Sequence, residues 1–361
     1  MISLRRQQLL TLCTILIATA AVIAVGTILL KAHAATSSSS IEAESGVLQQ
    51  PATHIADGTA SGGSAVRFGV SNYTSTASGP TKMQGFAVYG SIFAANPSAE
   101  LTRMRTMFPG VNVIRVAIGT SPTNVVPSVD RATLIAAVNE AIRQIPSIQI
   151  ILDDHQSYGA AQTGNTAADL ALYRQWAADF KSYPQVSFNT PNEPGGDSIQ
   201  ITAAEKEIYT AVRSAGAPNR IWLEYGGYFP GAYQSMINSA GMTNIGMDIH
   251  LYPRSDTSSA AQDLRDAAIT TTIRDAAGVP LQQAAFEFGP SLTGPPSGTY
   301  ASSVNYVNEV VTAARSGQLV ATTAWVWSNG GTHQGYEDLI VDRNGTIGQF
   351  GTQLQSKIFA Q

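Results

Sequence analysis

The stretch VSFNTPNEP, residues 186–194, begins as a strand and ends as a site. Val186 to Phe188 has the β-branched and aromatic character of a buried strand. Asn192 and Glu193 then stand between Pro191 and Pro194, and Gly195 and Gly196 follow. The two prolines are expected to hold this strand end extended, with a carboxylate at its C-terminal tip. Seven other stretches share the texture: FAVYGSIF (86–93), VNVIRVAIG (111–119), IQIILDDH (148–155), RIWLEYGG (220–227), NIGMDIHLYP (244–253), LQQAAFEFG (281–289) and LVATTAWVWS (319–328). Between them lie amphipathic segments such as DRATLIAAVNEAIRQI, AADLALYRQWAADF, TAAEKEIYTAVRSA and YASSVNYVNEVVTAARSG, with apolar residues three and four apart. Alternating strands and helices imply parallel pairing. Eight such units predict an α/β fold, a closed (β/α)8 TIM barrel, over residues 85–361. A doubly wound open sheet is the second choice, disfavoured because no G-x-G-x-x-G follows the first strand and no P-loop is present.

In such a barrel the reacting groups sit at the C-terminal ends of the strands. Arg115 lies in the second run, His155 ends the third, Asn192 and Glu193 the fourth, His250 and Tyr252 the sixth, Glu287 the seventh and Trp327 the eighth. A single strand-end glutamate is ordinarily a solvated carboxylate, and a single tryptophan ordinarily core. Eight such residues at matching ends of six strands form a candidate rim.

This ordered set, with its two glutamates 94 positions apart, resembles clan A glycoside hydrolases, most nearly family 5, the cellulase and mannanase family. The resemblance covers residues 85–358. It implies that Glu193, in Asn-Glu-Pro, is the acid/base and Glu287 the nucleophile, and that Arg115, His155, Asn192, His250, Tyr252 and Trp327 bind substrate or support the carboxylates. One departure is FEFG, residues 286–289, where Thr or Ser more usually precedes the glutamate; Phe286 is expected to point away from the site.

Acetal hydrolysis requires one carboxyl protonated and one ionised, so the environments must hold the two glutamates apart in pKa, with the acid raised. Arg115 and Tyr252 are the expected partners of an ionised Glu287, and Asn192 of the sugar 2-hydroxyl. Trp327 is expected to offer a flat face to the sugar, and Tyr158, Tyr228 and Phe229 to extend it or to pack in loops. Trp176 and Trp222 read as core. The leading function is a retaining endo-β-glycanase acting on a β-1,4-linked polysaccharide. The alternatives are a β-mannanase or exo-β-glucosidase of the same clan, or a non-catalytic polysaccharide-binding surface protein.

Other classes fit poorly. The chain has 361 residues, 13% of them charged, and a net charge of −4, so nucleic acid is not an expected partner. Its five histidines show no H-E-x-x-H spacing, and no metal or other cofactor is expected. Adjacent residues of a strand face opposite ways, so Asp154 is expected to point away from His155. No G-x-S-x-G elbow suggests a serine esterase. A monomer is expected.

Residues 1–34 read as an export signal: Arg5 and Arg6, an apolar run from Leu9 to Leu30, then Ala32-His33-Ala34 as a cleavage site. Left uncleaved, residues 9–30 would anchor the chain in a membrane; either way the remainder is expected outside the cell. The single cysteine, Cys13, lies in this segment, leaving the remainder without disulfides. Residues 35–84 form a Ser/Thr/Gly-rich leader. Its IEAESGVLQQPATHIADGTASGGSAVRFG resembles the first strands of family 6 and 35 carbohydrate-binding modules, but is far too short for a complete sandwich.

Overall fold

The computed structural model describes residues 53–56, 64–67, 83–119, 126–155, 164–225, 229–253, 259–267, 272–290, 300–328, 339 and 346–357. Residues 1–34, for which an export signal is expected, and Tyr158 and Tyr228 lie outside these residues. The chain divides into two compact units, residues 1–69 and 70–361. In the first, β1 (Thr53–Ala56) and β2 (Ser64–Arg67) pair antiparallel, Thr53 opposite Arg67.

The second unit contains eight parallel strands closed into a barrel: β3 (Met83–Tyr89), β4 (Val113–Ile118), β5 (Gln149–Asp154), β6 (Val186–Asn189), β7 (Ile221–Glu224), β8 (Ile245–Leu251), β9 (Gln283–Phe288) and β10 (Ala321–Ala324). They pair in chain order, and β10 closes on β3. The helices are α1 (Gly90–Ala95), α2 (Pro97–Met107), α3 (Arg131–Gln144), α4 (Ala167–Phe180), α5 (Ser198–Ser214), α6 (Pro230–Ala240), α7 (Ala260–Ala267), α8 (Tyr300–Ser316) and α9 (Gln349–Lys357). This is the (β/α)8 TIM barrel that the alternation predicts.

Two-residue alternation distributes the strand side chains between two layers. Ile114, Val116, Ile150, Leu152, Phe188 and Leu223 face outward and join the core shared with helix residues such as Leu134, Val138, Tyr173, Trp176 and Ile208. Val113, Ile151, Trp222, Ala284, Phe286 and Ala321 fill the barrel interior. Trp222 fits there because Gly246 faces it; a Cβ on Gly246 would lie 2.3 Å from the indole ring. Both Trp176 and Trp222 are core, as expected. Helix starts follow local chemistry: Thr166 with Asp169, and Asp197 with Gln200, form capping boxes at α4 and α5.

Three expectations need correction. The first run does not remain a strand through Phe93: the chain leaves β3 at Tyr89 and enters α1 at once. Gly90 permits that turn, since a Cβ there would be 2.9 Å from the side chains of Ile118 and Val129. The fourth strand ends at Asn189, so Asn192 and Glu193 stand on the following loop. Prolines do not hold Glu193 extended; its φ is 44°, in the left-handed region. For a residue other than glycine that conformation costs about 1–3 kcal/mol, and such outliers concentrate at functional sites.

Candidate active site

Arg115 projects from β4 into the barrel and is fully buried. A buried guanidinium must be surrounded by acceptors. Its Nη1 donates to Glu287 Oε1 at 2.5 Å, and its Nη2 to Asn192 Oδ1 at 2.8 Å, with Asp153 Oδ1 at 3.0 Å. Burial alone would lower the Arg115 pKa, but Asp153 and then Glu287 outweigh it and hold the guanidinium charged. Asp153 in turn sits below the usual carboxylate range: burial opposes ionisation, and Arg115 overcomes it. Asp153 also pairs with His155, Oδ2 to Nδ1 at 2.9 Å. Residues 153 and 155 therefore share a face, as alternation requires.

Glu287 is almost fully buried and receives a second hydrogen bond from Tyr252, whose hydroxyl donates to Oε2 at 3.1 Å. Burial and then Glu287 push the Tyr252 phenol well above its usual range, so it remains a donor. A bulge brings Glu287 to this position. On β8 Asp248 and His250 are two apart, whereas their partners on β9, Ala284 and Glu287, are three apart. The extra residue lets Phe286 and Glu287 both turn inward. Phe286 thus points into the barrel rather than simply away, packing edge-on to Trp222 at 4.9 Å beneath the site. Its backbone N–H is held by Asp248 Oδ1 at 2.8 Å.

Glu193 is the open member of the pair, its side chain 39% exposed. His250 Nδ1 lies 3.0 Å from its Oε1. The loop is tied back by the Asn192 N–H, which donates to the Asp154 carbonyl at 3.0 Å. The His250 hydrogen bond holds the Glu193 carboxyl below its ordinary range, against the effect of burial. This is opposite in direction to the raised pKa expected for a proton donor. One oxygen of Glu193 and one of Glu287 lie within 4.8 Å of each other.

The structure thus gathers Arg115, His155, Asn192, Glu193, His250, Tyr252 and Glu287 at one end of the barrel. Trp327 is the exception. It is fully buried on the helix side, against Phe86 and Phe108, and its indole N–H donates to Glu100 Oε2 at 2.8 Å. It presents no face to a sugar. Trp325 takes the place at the mouth, stacked on His155 with ring centroids 4.7 Å apart and beside Tyr89 at 5.7 Å. Strand β10 ends at Ala324, so alternation no longer governs the two tryptophans beyond it. Phe229 is exposed at the start of α6.

Three carboxylates were missed in the sequence: Asp153, Glu224 and Asp248. Each is buried within an apolar strand, and a charge in such a run must have a partner. That was the signal available. Glu224 Oε1 is 3.1 Å from His250 Nε2, and Asp248 Oδ2 is 3.6 Å from it. Burial, then Asp248, pushes Glu224 up to about 8, with His250 offsetting part of the rise. The groupings Glu193–His250–Glu287 and Glu224–Asp248–His250 each bring one potential ligand atom per residue within 4.8 Å. One imidazole serves both, its Nδ1 hydrogen-bonded to Glu193 at 3.0 Å and its Nε2 3.1 Å from Glu224. The donor set fits a proton network better than a metal centre.

A family model described as Cellulase (glycosyl hydrolase family 5) matches residues 78–331. No curated protein matches the chain. Among solved structures, a triple mutant of an endo-β-1,4-glucanase from Xanthomonas axonopodis pv. citri is 19% identical, with a TM-score of 0.55, covering 78% of this chain and 100% of that one. Endoglucanase Cel5A from Thermobifida fusca, in complex with cellotetraose, is 14% identical, with a TM-score of 0.55 and coverage of 77% and 91%. A β-glucanase from Saccharophagus degradans, also with cellotetraose, is 13% identical, with a TM-score of 0.57 and coverage of 77% and 87%. At these identities the solved structures speak to the fold. The likeness of the leader to a carbohydrate-binding module gains no support from these comparisons. The family match spans more than half of the chain, from the residues before β3 to those after β10, and the chain belongs to glycosyl hydrolase family 5.

Proposed function

We propose that the chain is an exported endo-acting β-1,4-glucanase that cleaves with net retention, Glu287 as nucleophile and Glu193 as acid/base. The observation that carries this reading is the asymmetry of the two glutamates. Glu287 is buried, ion-paired to Arg115 and hydrogen-bonded by Tyr252, whereas Glu193 is partly open to solvent and, among the described residues, hydrogen-bonds with its carboxylate only to His250. A nucleophile must be ionised and fixed; an acid/base must exchange protons with substrate and water. The choice of glucan rests on the solved relatives, two of which hold cellotetraose. Export rests on the order of charge, apolar run and small residues in positions 1–34.

One experiment tests substrate and location together. Cells producing the full chain are fractionated, and medium, intact cells and cytosol are assayed on soluble cellulose, mixed-linkage glucan, galactomannan and xylan. We expect activity in the medium or on intact cells, with cellulose cut to short oligosaccharides and a rapid fall in viscosity. Release of glucose alone would indicate exo action, preference for galactomannan a mannanase, and binding without product a polysaccharide-binding protein. Activity confined to cytosol would overturn export.

The correction at the eighth strand leads to a second expectation. We assign the sugar-facing aromatic role to Trp325, which is 8% exposed and packs with Tyr89 and Val126, so Trp325→Ala should lower kcat/KM on cello-oligosaccharides by about 10-fold, corresponding to roughly 1.4 kcal/mol, beside a loss of stability from the cavity it leaves. Trp327→Ala should instead lower unfolding free energy by about 3–5 kcal/mol. Urea denaturation and steady-state kinetics on both variants check this. The reverse pattern would restore Trp327 to the site.

A further inference from the structure

His250 stands among four carboxylates. Its Nδ1 faces Glu193 Oε1 at 3.0 Å and Glu287 Oε2 at 3.5 Å; its Nε2 faces Glu224 Oε1 at 3.1 Å and Asp248 Oδ2 at 3.6 Å. A neutral imidazole has one N–H. If that proton sat on Nε2, the Nδ1 lone pair would oppose an ionised Glu193. It would also bind the proton of a protonated Glu193, drawing it away from the leaving oxygen of the substrate. With the proton on Nδ1, Glu193 Oε1 accepts in both of its states and Oε2 is left to serve the substrate. This second arrangement requires a partner that settles Nε2.

Glu224 is that partner, and nothing in the expected site had included it. Its Oε1 lies 3.1 Å from Nε2 but off the N–H axis, and a small turn of the imidazole aligns the two, a carboxylate then accepting from the Nε2–H of an imidazolium and a carboxyl donating to the Nε2 lone pair of a neutral ring. Either way Nδ1 keeps its proton. Glu224 is held rigidly for the task. It ends β7, its backbone N–H donates to Thr190 Oγ1 at 2.8 Å, and its carbonyl accepts from the Tyr233 hydroxyl at 2.6 Å. Resting on the reading of Glu193 as acid/base, we propose that Glu224 is a positioning residue of the reaction, acting through His250 to keep the Nδ1 proton directed at Glu193 in both chemical steps.

The surroundings agree. Burial alone would discharge His250, but Glu224 and then Glu287 outweigh it and hold the ring charged well above its usual range. Glu224 is itself raised, by burial first. The charged and titratable groups facing this pair are Glu193, Asp248, Glu287, Arg115 and Asp153, with Glu205 behind Glu224 and His155 and Tyr252 beside the glutamates.

The test uses the full chain labelled with 15N-histidine, with His250 identified by the resonances lost in His250→Asn. In the wild type at neutral pH, two-bond 1H–15N correlation should show Nδ1 as a protonated, pyrrole-type nitrogen; a pyridine-type Nδ1 overturns the proposal outright. In Glu224→Leu, Nδ1 should become pyridine-type as the ring turns its proton toward Asp248. The same variant should lose on the order of 100-fold in kcat on cello-oligosaccharides but less than about threefold in the burst-phase rate of dinitrophenol release from a dinitrophenyl glycoside, whose departure needs no proton. Glu224→Gln, whose amide can donate to Nε2, should recover most of the loss. Equal loss on both substrates, with no recovery by Gln, would mean a structural role only. The NMR result needs no turnover, so absence of glycanase activity would sink the functional reading without deciding this one.

Discussion

Glu287→Ala is expected to abolish hydrolysis of every substrate, a loss on the order of 10^6-fold, the scale on which removal of a nucleophile from a concerted site is felt. Without the carboxylate no glycosyl-enzyme forms, whatever the leaving group. Glu193→Ala should behave differently. An aryl glycoside with a good leaving group departs unprotonated, so the first step survives and the covalent intermediate accumulates. Its hydrolysis then lacks a general base. Azide needs no base, so added azide should restore turnover of Glu193→Ala and yield a glycosyl azide, while leaving Glu287→Ala inert. Burst kinetics on a dinitrophenyl glycoside, with and without azide, check both statements. Equal and unrescued loss in the two variants would overturn the assignment of roles. Folding must be verified for Glu287→Ala in particular, because it leaves Arg115 with one fewer anion. Breaking a buried pair can cost about 3–5 kcal/mol; here Asp153 at 3.0 Å remains to hold the charge.

The barrel was legible because its strands are nearly continuous apolar runs, buried on both faces, and its helices carry a clear amphipathic period. Local endings were less so. FAVYGSIF contains no break that a strand pattern would register, yet Gly90 allows the chain to turn directly into α1. In the site, the residues that a family resemblance carries over were found at their expected rim, with Trp327 the exception. At residues 325–328 the strand pattern misleads: regular β10 ends at Ala324, and although the Trp325 and Trp327 N–H groups still donate to Phe288 and Ala87, the two tryptophans, two residues apart, go to opposite sides of the sheet. Phe286 was misplaced for a related reason: the bulge opposite β8 adds a residue that two-residue alternation cannot anticipate. Asp153, Glu224 and Asp248 went unread although their signal was present. The runs LDDH, WLE and MDIH each place a carboxylate within an otherwise largely apolar strand, and burial makes such groups expensive unless a cation or donor faces them. Arg115 and His250 are those partners.

Hydrolysis of a β-linked substrate should give the β-anomer first. The argument begins with distance. Retaining glycosidases hold their carboxyl groups about 5–5.5 Å apart, and inverting ones about 6.5–9.5 Å apart to admit a water between acid and base. An oxygen of Glu193 lies within 4.8 Å of an oxygen of Glu287, and His250 reaches toward both, Nδ1 being 3.0 Å from one and 3.5 Å from the other. A catalytic water between the carboxylates would have to displace that ring. Attack is therefore left to Glu287 itself, which inverts the anomeric carbon once; water activated by Glu193, on the face the leaving group vacated and opposite the ester bond, then inverts it again and frees the Glu287 carboxylate. Proton NMR of the first seconds of cello-oligosaccharide hydrolysis should show the β-anomeric signal alone, with the α signal growing later by mutarotation. The pH dependence follows the same roles: activity falls at high pH as Glu193 loses its proton. Because the His250 hydrogen bond holds Glu193 below its ordinary range in the unliganded site, the basic limb of kcat/KM should lie at lower pH than that of kcat, once sugar covers the 39% of Glu193 now exposed. Initial release of the α-anomer would exclude double displacement by this pair and require a water, not Glu287, as the attacking group.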